Sequence, residues 1–306
     1  MGGMIPVTGA QYEISADEYR ATVTELGAGL RELTYGRRPL ITSYDPDQLP
    51  PGAAGQLLAP WPNRIAHGRY VFAGSSYQLD LSEPEQANAI HGLTRWASWA
   101  PVQHEPDRVL LTHVLHGRPG YPFCLELDAQ YRVGADGLAV TITARNAGRR
   151  PAPYGTGSHP YLAAGRPIDA CRLTIPATQW LPADDRGIPA GAAMDIAGTP
   201  FDFRPGRSLG GTQIDHAFTG LDRDTDGRSW VRVCASYGEL ALWAGEGYGW
   251  LQVFTGDTLP EPGRRTAIAV EPMTCPPNSF VTGQDLITLN PGESVTHVWG
   301  LVFYQH

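Results

Sequence analysis

Short segments in which apolar and polar residues alternate recur along this chain, and helical periodicity is weak everywhere. The alternation is clearest in "RVLLTHVL" (108 to 115), "FCLELDAQYRV" (123 to 133) and "LAVTITARN" (138 to 146). It continues in "WVRVCASY" (230 to 237), "ELALWAG" (239 to 245), "WLQVFTG" (250 to 256), "TAIAVEP" (266 to 272) and "VTHVWGLVFY" (295 to 304). Successive side chains of a strand point to opposite faces, so a period of two predicts strands with one face turned to a core. Ala135, Asp136 and Gly137 join two of these segments as a hairpin, because Asp-Gly accepts the backbone of a tight turn. Gly and Pro contribute 36 and 27 of the 306 residues, which favours short strands and turns over long helices. The proline-bearing stretches 43 to 55 and 182 to 206 read as long surface loops, and β-rich sequence resumes after each without a shift in composition. The expected fold is therefore all-β: one large antiparallel β-sandwich domain over residues 1 to 306, with few or no long helices.

Charge narrows the partners. With 23 Lys and Arg against 31 Asp and Glu, the formal charge of -8 provides no basic field for a nucleic-acid backbone. No apolar run reaches the roughly 18 residues of a membrane span, and the first 20 residues lack the basic-then-apolar order of a secretory signal. A soluble cytoplasmic protein, monomer or homodimer, is expected. Cys124, Cys171, Cys234 and Cys275 show no paired short spacing of the zinc or redox kind and read as four buried thiols.

Several polar residues stand at strand ends or tight turns. "AVEPMTCPPNSF" places Glu271 at the end of an apolar run and follows it with Pro272, as though a strand stops there to hold a carboxylate. "YGTGSHPYL" delivers His159 from a glycine-rich turn, with Pro160 fixing the backbone after it and Tyr154 and Tyr161 near enough to line a pocket. "APWPNRIAHGRYVF" sets Asn63 beside Arg64, an amide and a guanidinium suited to hydroxyls or anions. "NAIHGLTRWASW" carries His91 with Trp96 and Trp99, which suit either a core or a platform for sugar C–H faces. "QIDHAFTG" adds Asp215, and "WLQVFTGD" adds Gln252, which on an apolar strand needs a partner in the core or in a ligand. Each piece alone also fits a plain turn or core residue. The set is harder to assign to surface polarity.

In this order, "NRIAHGRY", "HGLTRW", "GSHPYL", "DHAF", "LQVFTGD" and "AVEPMTCPPNSF" resemble the aldose 1-epimerase (galactose mutarotase) family from about residue 55 to the end. The resemblance implies a galactose mutarotase-like β-sandwich that interconverts the α and β anomers of a free aldohexose of the glucose or galactose type. It also implies His159 as general acid, Glu271 as general base and His91 as a second histidine near the ring oxygen. Asn63, Arg64, Asp215 and Gln252 fall on hydroxyl-binding positions, and no cofactor or metal is implied. Two departures, His-Gly-Leu after residue 90 and "YLAAG" after Pro160, bear on the choice of sugar.

The chemistry suits these residue types. Opening the ring takes a proton from the anomeric hydroxyl and gives one to the ring oxygen, so it needs one base and one acid. An ordinary glutamate is ionised at neutral pH, and an ordinary histidine is partly protonated there. Three other readings stay open: a hexose 6-phosphate epimerase using Arg95, Arg118 or Arg69, a glycoside hydrolase using Asp215 and Glu271, and a non-catalytic sugar-binding module. A metal held by His91, His159 and Glu271 is possible by ligand type, although the spacing matches no short motif.

Overall fold

The computed structural model describes residues 4–235 and 237–305. The alternating segments are strands. "RVLLTHVL" is the strand Arg108–Leu115 without adjustment, and Leu125–Gly134 and Gly137–Asn146 form the hairpin around residues 135 and 136. Along that hairpin Leu125, Leu127, Ala129, Tyr131 and Val133 alternate inward, opposite Leu138, Val140, Ile142 and Ala144. In "WVRVCASY" the strand runs Ser229–Ala235, and residue 236 lies outside the described residues.

Two large antiparallel sheets dominate. The first has nine strands, and the segment Ser294–Gln305 lies in its middle, between Gly137–Asn146 on one side and Gly238–Ala244 on the other. The second has eight, in which Asp215–Leu221, Trp250–Phe254 and Ala267–Met273 are neighbours. A four-stranded sheet from residues 11 to 39 packs alongside. One continuous core draws Val140, Leu242, Leu301 and Trp299 from the nine-stranded sheet and Phe218, Leu251, Val253, Ile268 and Val270 from the eight-stranded one. This is an antiparallel β-sandwich. Its α-helix among the described residues is the single turn Ser279–Thr282, and no helix there is long and apolar enough to cross a membrane.

Three expectations are corrected. The Glu271 strand does not stop at Pro272; it runs Ala267–Met273 and is buried throughout. Val270 donates its N–H to the Pro160 carbonyl, so by alternation the Pro272 nitrogen faces that same side. In the register of Gly157 with Met273 and Tyr161 with Ala269, Pro272 lies opposite Ser158, so the strand continues through the proline with one ladder bond fewer. The cysteines are all free, but only Cys171 and Cys275 are buried; Cys124 and Cys234 are half-exposed, the latter donating to Glu239. The loop 43 to 55 is not merely superficial: it contains a 3-10 turn, Pro51–Ala53, and its end forms a cavity wall.

Candidate active site

All seven residues singled out by sequence, Asn63, Arg64, His91, His159, Asp215, Gln252 and Glu271, line one cavity of about 390 Å³ at the open side of the eight-stranded sheet. That volume is in the range of small-molecule sites, roughly 300 to 1,000 Å³. Adjacent strands bring three of them together. Gln252 and Glu271 are register partners, and Asp215 sits two positions from Ala217, which pairs with Gln252. Gln252 donates from Nε2 to Asp215 Oδ1 at 2.7 Å, while its Oε1 is buried without a partner among the described residues.

Asn63 and His91 both adopt a left-handed backbone, φ 54° and 61°, at the mouth of the short strand pair Arg64–Ala66 and Asn88–Ile90. His91 donates its N–H to the Asn63 carbonyl at 2.9 Å, and the Asn63 N–H points back at His91 Nδ1 at 3.3 Å. An imidazole that accepts at Nδ1 carries its proton on Nε2, so His91 is set as a donor there. The glycine that follows is required: a Cβ on Gly92 would lie 2.0 Å from the Ala59 carbonyl oxygen.

His159 sits in the gap between its two short strands, its N–H bonded to the Gln56 carbonyl and its carbonyl to the Gly55 N–H. The ring stacks on Tyr161 at 4.9 Å and meets His91 edge-on at 5.3 Å. Its Nε2 lies 3.2 Å from Glu271 Oε1, with both side chains almost fully buried. The outer atoms of the pair, His159 Nδ1 and Glu271 Oε2, have no partner among the described residues.

Burial changes the protonation expected from sequence. It pushes Glu271 well above the usual carboxylate range, helped by the negative Asp215. It pulls His159 down to about 3, helped by the positive Arg95 and Arg64. Neither group therefore has its ordinary solution value. Both shifts favour a proton on the Glu271 carboxyl and a neutral His159 ring across the 3.2 Å contact.

Sequence reasoning missed Glu83. Arg64 donates to it from Nε and Nη2 at 2.8 and 2.9 Å, and Asn88 donates to it at 3.0 Å. Burial acts to raise the Glu83 carboxyl, and these hydrogen bonds outweigh it and hold the group low. No local signal marks Glu83, because its partner lies 19 residues away. Of the three arginines proposed for a phosphate, Arg95 lines the cavity, whereas Arg69 bonds Gln78 at a separate hollow and Arg118 is not in the wall. Arg95 has no carboxylate within 4 Å among the described residues, and its Nε is buried without a partner. Tyr161 lines the cavity and Tyr154 does not, since it is locked in the core. Trp99 is likewise core, and Trp96 is exposed beneath the Arg95 guanidinium.

The ligand atoms of His91, His159 and Glu271 lie within 4.8 Å of one another. Zinc bonds of about 2.0 Å in a tetrahedron need ligands roughly 3.3 Å apart, and His91 presents a proton rather than a lone pair at Nε2.

Comparison with known proteins gives a consistent picture. A family model described as aldose 1-epimerase matches residues 10–301. The uncharacterized protein YihR of Escherichia coli K12 is 35% identical over 289 residues, 94% of this chain and 91% of that one. An aldose 1-epimerase of the same organism is 31% identical over 166 residues, 51% of this chain and 46% of its own. Among solved structures, an aldose epimerase homologue from C. elegans superposes with a TM-score of 0.84 at 20% identity, covering 97% of this chain and 99% of that one.

Proposed function

The chain belongs to the aldose 1-epimerase family, and from that premise we propose that it interconverts the α and β anomers of a free aldohexose of the glucose or galactose type by acid and base catalysis. The observation that carries this reading is the buried contact between His159 Nε2 and Glu271 Oε1, set in a cavity wall among donors and acceptors for hydroxyls. The reacting form of the pair is carboxylate and imidazolium, reached when its proton passes from Glu271 to His159 across their contact. Glu271 takes the anomeric hydroxyl proton; the O–H electrons form the aldehyde C=O, and the C1–O5 electrons leave to the ring oxygen, which His159 protonates. The pair is then carboxylic acid and neutral imidazole, the other arrangement of the same single proton. The aldehyde turns about its bond to C2, and the reverse transfers close the ring from the opposite face.

In this reading Asn63, Arg64, Asp215 and Gln252 hold the sugar hydroxyls, and the His91 Nε2–H donates toward the ring oxygen. No metal or organic cofactor takes part, and the partner is a monosaccharide met in the cytoplasm. A second reading, a hexose 6-phosphate as substrate, has one observation in its favour: Arg95 lines the cavity without a carboxylate of its own. NMR of freshly dissolved α-glucose, α-galactose and α-glucose 6-phosphate, with and without the protein, tests both. Faster equilibration of a neutral sugar supports the first reading and of the phosphate the second. If none of the three equilibrates faster, both fail.

A further inference from the structure

Arg64 offers five N–H donors, and the protein takes a fixed share of them. Nε and Nη2 form a two-pronged ion pair with Glu83, whose side chain is largely buried beside it. Glu83 is itself held from behind. Asn88, fully buried, donates to Glu83 Oε2 and to the Arg186 carbonyl, and accepts from Arg186 Nη2 at 3.1 Å. The loop that carries Arg186 then lays Gly187, at φ +70°, over the guanidinium, where any Cβ would come within 2.4 Å of Arg64 Nη1. Nη1 makes no hydrogen bond with the described residues.

We propose that Glu83 determines what Arg64 reads: it cancels the guanidinium charge and occupies two of its three nitrogens, leaving Nη1 as a donor suited to a neutral sugar hydroxyl. Glu83 acts as a positioning residue: it lines the same cavity, but its carboxylate oxygens are engaged by Arg64 and Asn88. The proposal rests on the epimerase reading for its substrate, but its electrostatic half does not need turnover to be tested. A guanidinium relieved of its carboxylate becomes an anion site, because charge-assisted bonds to a tetrahedral anion match its fork. A glutamine at position 83 keeps the shape but offers one acceptor, and it cannot serve Nε, Nη2 and the Asn88 amide together.

The test titrates inorganic phosphate into the full chain by thermal shift, and measures KM and kcat on whichever neutral aldose it equilibrates. Glu83→Gln should bind phosphate at least about tenfold more tightly than the wild type, and its KM should rise about tenfold while kcat changes less. Gly187→Ala, which displaces Arg64 and leaves Glu83 charged, should raise KM with no gain in phosphate affinity. Unchanged phosphate affinity in folded Glu83→Gln overturns the proposal. If that variant does not fold, Glu83→Asp keeps the charge but is too short for the two-pronged pair, and an unchanged KM in it overturns the positioning role. A wild type that equilibrates no aldose sinks the epimerase reading, while the phosphate titration still decides the role of Glu83.

Discussion

The shared proton of His159 and Glu271 makes specific demands on mutants and on pH. Glu271→Gln keeps the size of the side chain but cannot take a proton, so the α-to-β equilibration rate should fall by about 10² to 10⁴, with little change in KM. His159→Asn should fall similarly, and the double variant should cost less than the two single losses added, because either change alone disables one unit. Near-normal turnover in folded Glu271→Gln would end the assignment. The pH profile follows from the same pair. A second proton enters only as pH falls through the depressed value of His159, about 3, and the single proton leaves only as pH rises through the raised value of Glu271. The acid limb of the rate should therefore lie well below pH 6.5; a limb at the ordinary histidine value would mean that His159 is solvated. That these residues belong together was legible only as an ordered set, since each glycine- or proline-marked turn or polar break in an apolar strand also fits a plain structural residue, and their roles came from the family resemblance. Their protonation was not, because it depends on burial created by segments more than a hundred residues apart.

At the scale of strands, the site depends on pieces too short to carry any period. The Gly157–Ser158 strand has two residues, as does Leu57–Leu58 beside it. Ser158 accepts a hydrogen bond from the Trp299 indole at 3.0 Å, tying the segment that presents His159 to the central strand of the opposite sheet. Ser158→Ala should strand that buried indole N–H and cost about 1 to 3 kcal/mol in denaturant unfolding; a loss below about 0.5 kcal/mol would show the tie is idle. The long strands were readable from alternation, since one face of each meets the core. Ala267–Met273 was misjudged at its end because it is buried on both faces, and because a proline reads as a stop in sequence although this strand tolerates the loss of one ladder bond.

For the molecule as a whole, the buried His297 sets how stability responds to acid. It lies on the central strand of the nine-stranded sheet against Tyr248, neither ring nitrogen has a partner among the described residues, and burial pulls it down to about 4. A lowered folded value means that the unfolded chain takes the proton first. Its stability contribution is present above pH 6.5 and is lost as pH falls toward 4, by as much as about 3 kcal/mol. His297→Leu should therefore lose less stability than the wild type between pH 7 and 4 by chemical denaturation, and parallel losses would refute this. The sandwich class was legible from the recurrence of strands, whereas the order of strands across each sheet was not, since alternation says which face is buried and not which neighbour is beside it. That order has a consequence for how the protein is made. The central strand of the nine-stranded sheet, Ser294–Gln305, emerges from the ribosome after every other strand described. Until then Gly137–Asn146 and Gly238–Ala244 each present an unpaired edge, so the nascent chain stays open to edge-to-edge aggregation until that strand is made and joins them.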